Sequence, residues 1–186
     1  QEKIVIDDTR IYLPYLYSAE VEIAARINRL SKNGLTEVNV EILKTEIKNI
    51  ENINKLKFSE LQIDAIINSI NNRVLILTGG PGTGKTTTLK GILELFRKKR
   101  LRVAMGAPTG RAAKRMEETT NKEAKTIHRL LEFNPHKHRF MREKNNPLTE
   151  DAVIIDESSM IDTPLFVSLL NAIHHNSRLI LIGDAD

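Results

Sequence analysis

The chain has 186 residues, enough for one domain of ordinary size, or one domain with an appendage, burying about 70% of its unfolded surface. Hydrophobic residues make up 40% of it and aromatics only 4%, so the expected core is Ile, Leu, Val and Ala; with no cysteine, disulfide frameworks, thiolate zinc sites and cysteine nucleophiles are excluded. The net charge of +4 is uneven: residues 1–72 carry 9 Lys and Arg against 11 Asp and Glu, whereas residues 73–186 carry 19 against 13, so the second half is the one suited to a polyanion.

Gln1-Glu2-Lys3-Ile4 lacks the basic-then-apolar pattern of a secretory leader, and no apolar run reaches the roughly 18 residues of a membrane span. No membrane partner is expected, and the cytoplasm is the expected compartment. Opening on Gln and closing on a strand end, the chain reads as a piece of a longer protein. In chain order, Ile11-Tyr12-Leu13-Pro14-Tyr15-Leu16-Tyr17 is an apolar entry to a helix carrying Ile23, Ile27 and Leu30, with Ser18 as its expected N-cap and Asn33-Gly34 as its stop. Val40, Leu43, Ile47 and Ile50 repeat the helical spacing, so residues 1–57 read as a helical lead-in segment. Residues 58–186 read as a second unit. A helix through Ile63, Ile66, Ile67 and Ile70 precedes a strand at 74–77; strands at 103–107, 153–155 and 179–182 alternate with helices at 111–116, from Thr126, and after Thr163-Pro164. That alternation predicts an α/β fold with a parallel sheet covered on both faces. Residues 134–146, "NPHKHRFMREKNN", break the periodicity and read as a protruding loop; His136 and His138 have no acidic or cysteine neighbour that would make them zinc ligands.

Directly after the first of these strands, "GGPGTGKT" at 79–86 fits G-x-x-x-x-G-K-[ST]. Gly80, Pro81, Gly82, Thr83, Gly84, Lys85, Thr86 and Thr87 form the expected phosphate cradle for ATP: backbone N–H groups turn inward, a helix begins near Lys85, Lys85 reaches the β/γ-phosphates and Thr86 ligates Mg²⁺. Asp156, after the strand at 153–155, is the expected metal partner, and Glu157 the residue that deprotonates water, which favours hydrolysis over phosphate transfer to a small molecule. Gln62 carries two readings, the N3 member of a capping box begun by Ser59 and a pairing partner for adenine. Both stay open. Arg97-Lys98-Lys99-Arg100 is either a DNA patch or the cationic end of a helix.

With these blocks in view, the chain resembles the first motor domain of a superfamily 1 DNA helicase, in the RecD-like branch that includes the exodeoxyribonuclease V alpha chain. The residues that carry this are "FSELQIDAI" at 58–66, "LTGGPGTGKTTT" at 77–88, "APTGRAAKRM" at 107–116, "TIHRLL" at 126–131, "VIIDESSMID" at 153–162 and "LIGDAD" at 181–186, with "YLPYLYSAE" at 12–20 similar to what precedes the motor in longer members. The resemblance implies a RecA-like P-loop motor, truncated here, and an ATP-dependent helicase or translocase acting in recombination or repair, moving 5′ to 3′. It further implies single-stranded DNA at Pro108, Thr109, Gly110, Arg111, Thr126 and His128, metal support from Asp184, and nuclease or repair subunits as partners. From the residues alone, Thr126 is equally an N-cap and His128 a satisfied helix histidine. A sensor glutamine soon after Gly183-Asp184 and a second motor domain are also implied; neither is among these residues, so the piece alone is expected to be inactive or very weak. The alternatives are a nucleotide-gated DNA-binding module without motor activity, and an AAA-type or signal-recognition NTPase acting on proteins, against which "APTGRAA" and Gln62 speak.

Overall fold

The computed structural model describes residues 4–184. Val5–Asp7 (β1) and Arg10–Tyr12 (β2) form an antiparallel hairpin, a pair of strands that the reading of residues 1–57 as helical does not anticipate. Helix α1 runs from Pro14 to Lys32, and Ser18 lies inside it rather than at its cap. Proline explains the earlier start: its ring presets the helical φ, and the N–H it lacks has no partner in a first turn anyway. Helix α2, Val40–Asn54, is capped by Asn39, whose side chain accepts from the Glu41 N–H, and closes on Lys55 in the left-handed conformation. Helix α3 is Glu60–Asn71.

From Val74 strands and helices alternate: β3 Val74–Thr78, α4 Lys85–Lys98, β4 Val103–Ala107, α5 Gly110–Thr120, β5 Lys125–Thr126 and α6 Ile127–Leu130. Residues 134–146 are not a structureless loop. Phe133–Asn134 (β6) and Arg139–Phe140 (β7) pair antiparallel, and the Phe133 and Phe140 rings meet edge to face at 5.2 Å, so two apolar side chains spaced for cross-strand contact organise an otherwise polar stretch. Ala152–Ile155 (β8), a 3₁₀ turn at Ser158–Met160, Thr163–Ala172 (α7) and Arg178–Gly183 (β9) complete the described chain.

The main sheet is fully parallel in the order β3-β9-β8-β4-β5. Because successive side chains point to opposite faces, its continuous apolar runs feed two cores. Met105, Ile154, Ile180 and Ile182 face α2, α3 and α4. Val153, Ile155, Leu179 and Leu181 face α1, α6 and α7. The lead-in helices therefore give one helix to each face, α2 through Leu43, Ile47 and Ile50, α1 through Leu30 with Ile23 and Ile27 beside it. Helix α3 crosses α4 closely at Gly91, where an added Cβ would lie 2.5 Å from Ile66 Cδ1 and 2.8 Å from Phe58 Cζ. At the amino ends of the strands, Asp151 accepts from the Arg102 backbone N–H at 2.8 Å and from its guanidinium at 3.3 Å, tying the start of β8 to that of β4.

Candidate functional site

Parallel strands release their connections at the same end, so the strand order is also the order of the loops along the carboxyl edge of the sheet. From one side to the other these are the P-loop after β3, Asp184 after β9, Asp156-Glu157 after β8, the loop at 108–111 after β4, and Thr126 at the end of β5.

The P-loop turns on Gly82 (φ 75°) and Gly84 (φ 87°), conformations that cost a side-chain-bearing residue about 1 kcal/mol or more. Thr83 closes it, its hydroxyl donating to the Gly80 carbonyl at 2.8 Å. Helix α4 starts at Lys85 as the motif predicts, with its first N–H groups at the cradle. The Lys85 ammonium donates to Asp184 Oδ1 at 2.6 Å, to the Gly80 carbonyl at 3.1 Å and to the Gly79 carbonyl. Gln62 makes the capping box in full, accepting from the Ser59 N–H at 2.9 Å while its own N–H donates to Ser59 Oγ at 3.3 Å. The same side chain's Nε2 donates to the Gly84 carbonyl at 3.3 Å, so the cap of α3 is also a strut against the P-loop.

Across β9, Asp156 Oδ1 accepts from the Glu157 N–H at 2.9 Å and its own N–H donates to the Gly106 carbonyl at 2.9 Å. Glu157 has φ 53°, a left-handed conformation that is strained for a residue with a side chain. The turn after it is pressed against the end of β9: a Cβ on Gly183 would sit 2.9 Å from Ser158 Oγ and 3.2 Å from the Ser159 nitrogen. A cleft of about 390 Å³ joins the two halves, lined by residues 80–86, Asp156, Glu157 and Asp184. Arg115 and Thr119 of α5 line it too, and Arg115 Nη1 lies 4.0 Å from Glu157 Oε1. Neither was singled out by the sequence reading; the signal was available in their i, i+4 spacing, which gives both one helix face. A larger cavity of about 500 Å³ between α1 and α7, edged by Arg26, Arg29 and Lys144, contains none of the motif residues.

The second group of predicted residues gathers next door. Gly106 pairs with Lys125 and Ala107 with Thr126, which sets the loop at 108–111 beside Thr126. Thr109 caps α5, accepting from the Ala112 N–H at 3.2 Å, and Thr126 caps α6, accepting from the Arg129 N–H at 3.2 Å. Thr109, Gly110, Arg111 and His128 are exposed, with Pro108 and Thr126 half-buried. The His128 ring packs against Phe133 and Phe140 at 5.9 and 5.6 Å. At the far end of α4, Arg97 pairs with Glu94 and Lys99 with Glu46, a structural use of that basic run.

The family described as AAA domain matches residues 62–186, from Gln62 through every residue just placed on the cleft. The ATP-dependent RecD2 DNA helicase of Deinococcus radiodurans is 35% identical over all of this chain. The chain belongs to the AAA-domain family, in its RecD-like branch. Proteins named RecBCD enzyme subunit RecD are also similar: that of Buchnera aphidicola (subsp. Schizaphis graminum) is 33% identical over 97% of the chain, that of Haemophilus influenzae 37% identical over 70%. The RecD-like chain spans between 24% and 33% of the length of these three relatives. A second family, described as Type II/IV secretion system protein, matches residues 2–107; that match includes the P-loop but stops at the end of β4, short of Asp156 and Glu157. The last two residues of "LIGDAD", Ala185 and Asp186, lie outside the described residues.

The RecD-like cleft is lined by oxygen donors, the Thr86 hydroxyl and the carboxylates of Asp156, Glu157 and Asp184, of the kind that suit a hard cation such as magnesium. Among the described residues no group of three or more His, Asp or Glu could hold a metal alone, so a divalent ion here would need further oxygen ligands from a bound partner such as a phosphate.

Proposed function

We propose that this chain is the first motor domain of an ATP-driven DNA helicase or translocase, which binds ATP–Mg²⁺ on residues 80–87 and supplies one wall of a groove for single-stranded DNA. What supports this reading is the convergence of Lys85, Thr86, Asp156, Glu157 and Asp184 on one cleft, whose Asp156-Glu157 edge follows β8, the strand next to the one that carries the loop at 108–111. The inward N–H groups of the P-loop and the Lys85 ammonium bind the β- and γ-phosphates, in competition with Asp184 for the same ammonium. Thr86 and Asp156, with support from Asp184, would hold Mg²⁺, which when bound would offset the charge of the phosphates. Glu157 takes a proton from the water whose oxygen forms the new bond to the γ-phosphorus; the bond to the β–γ bridging oxygen breaks, and that oxygen leaves with the electron pair on ADP. Gln62, already at the P-loop, meets the adenine edge. Thr109, Gly110 and Arg111 at the start of α5, together with Pro108, Thr126 and His128, receive the phosphates of the strand.

Movement requires a second domain that closes on the first with each ATP, so translocation, 5′ to 3′ in our reading, belongs to the longer protein, as do any nuclease or repair subunits bound to it. The test is steady-state ATP hydrolysis by the full-length protein and by this chain, with and without single-stranded DNA. Strong stimulation by DNA in the former and near silence in the latter is the expected result. Equal, DNA-indifferent rates in both would end the motor reading; nucleotide-dependent DNA affinity without turnover would point to a gated binding module.

A further inference from the structure

We propose that Arg115 is a positioning residue for Glu157, and that single-stranded DNA acts on ATP hydrolysis by loosening that pair. The inference rests on the motor reading above and assigns a route within it. Helix α5 is the element that touches both halves of the carboxyl edge. It begins at the exposed 109–111 loop, and Arg115, five residues beyond Gly110 and therefore about 7.5 Å along the axis, reaches back over the end of β8. Ala113 and Met116 are buried against the sheet, which makes the helix a single stiff body, while Lys114 faces the other way toward Glu118 at 3.9 Å.

Glu157 is suited to such control. Its main chain is fixed by the Asp156 carboxylate and by the close packing of Ser158 on Gly183, so its side chain is the part left to move. Among the described residues its ion-pair partner is Arg115, at 4.0 Å. At that distance the contact is a charge attraction rather than a hydrogen bond, and turning the carboxylate toward a water must work against it. DNA phosphates gripped at the amino end of α5 would need to shift this helix by only about 1 Å to open a contact already that long.

The experiment compares full-length wild type with Arg115→Ala and Arg115→Lys, measuring ATP hydrolysis with and without oligothymidylate, the KM for ATP and the Kd for the oligonucleotide. Arg115→Ala is expected to raise the DNA-free rate about fourfold, equivalent to about 0.8 kcal/mol and at the upper end of the range of an ion pair whose arginine is exposed. The DNA-saturated rate, KM and Kd stay unchanged, so the stimulation ratio falls about fourfold, and lysine restores most of it. Unchanged stimulation overturns the proposal, as does a parallel fall of both rates with a raised KM, which would make Arg115 a phosphate contact. Should wild type itself ignore DNA, the motor reading fails on its own account, and the DNA-free rate of Arg115→Ala still decides the pair: no rise means that Arg115 does not restrain Glu157.

Discussion

Replacing Ile47 by alanine tests whether the lead-in helices belong to the core of the sheet domain. Ile47 is 1% exposed, on the face of α2 that packs against α3 and α4 with Leu43 and Ile50. Alanine removes three buried carbons and leaves a cavity under two helices that are fixed by their own contacts with the sheet, so little collapse is expected and the cost is about 3–4 kcal/mol. In a domain whose total stability is about 5–15 kcal/mol that is a large share, and for a chain of this size it lowers the melting temperature by about 10 °C. Urea unfolding followed by circular dichroism reads it directly, with Ile53→Ala as the control because Ile53 is 71% exposed on the same helix. A midpoint that shifts with unchanged slope means one cooperative unit. A loss below about 1 kcal/mol, or a separate early transition that leaves the rest of the curve in place, would refute the argument and make residues 1–57 an independent appendage.

Glu157→Gln in the full-length protein is expected to keep ATP binding and lose hydrolysis by two or more orders of magnitude, about 3 kcal/mol of barrier, measured by single-turnover kinetics; undiminished turnover removes Glu157 from proton transfer. Gly183→Ala should cost about 1–3 kcal/mol through overpacking on Ser158 and Ser159, and because that turn follows Glu157 it should lower hydrolysis more than ATP affinity. Acid sensitivity should trace in part to Asp151. The Arg102 backbone N–H, then its guanidinium, hold this carboxyl below its ordinary range, so its contribution is present above the unfolded-state value and is lost as pH falls through the folded-state one. In Asp151→Asn, stability should therefore decline less steeply with acid below the ordinary carboxylate range than in wild type, and parallel urea midpoints across that range would contradict this.

Much of the α/β unit was legible because its signals are local. Strands buried on both faces are continuous apolar runs, and the P-loop is one short stretch whose glycines are dictated by backbone sterics. The sheet order was not legible. Nothing in "LILIGD" says that β9 lies between β3 and β8, yet that insertion is what brings Asp184 to the Lys85 ammonium. The Arg115–Glu157 pair was hidden for the same reason, since it depends on the direction α5 takes after β4. Misreadings at short range have a different cause. Strands of two or three residues, as in β1, β2, β6 and β7, are shorter than any period that can be recognised, and Pro14 outweighed a good capping residue at Ser18.

Gly91 has a consequence beyond close packing. The absent methyl group sets the spacing between α3 and α4, and the two residues it would meet, Phe58 and Ile66, stand four residues either side of the glutamine that braces Gly84. Filling that gap would push on the first turns of α3 from both sides of Gln62 and lift its side chain from the P-loop without touching a residue that lines the cleft. The shape of the P-loop is thus gauged by a packing contact outside the cleft, and a search for variants that alter the cleft without changing its lining would do well to begin at Gly91.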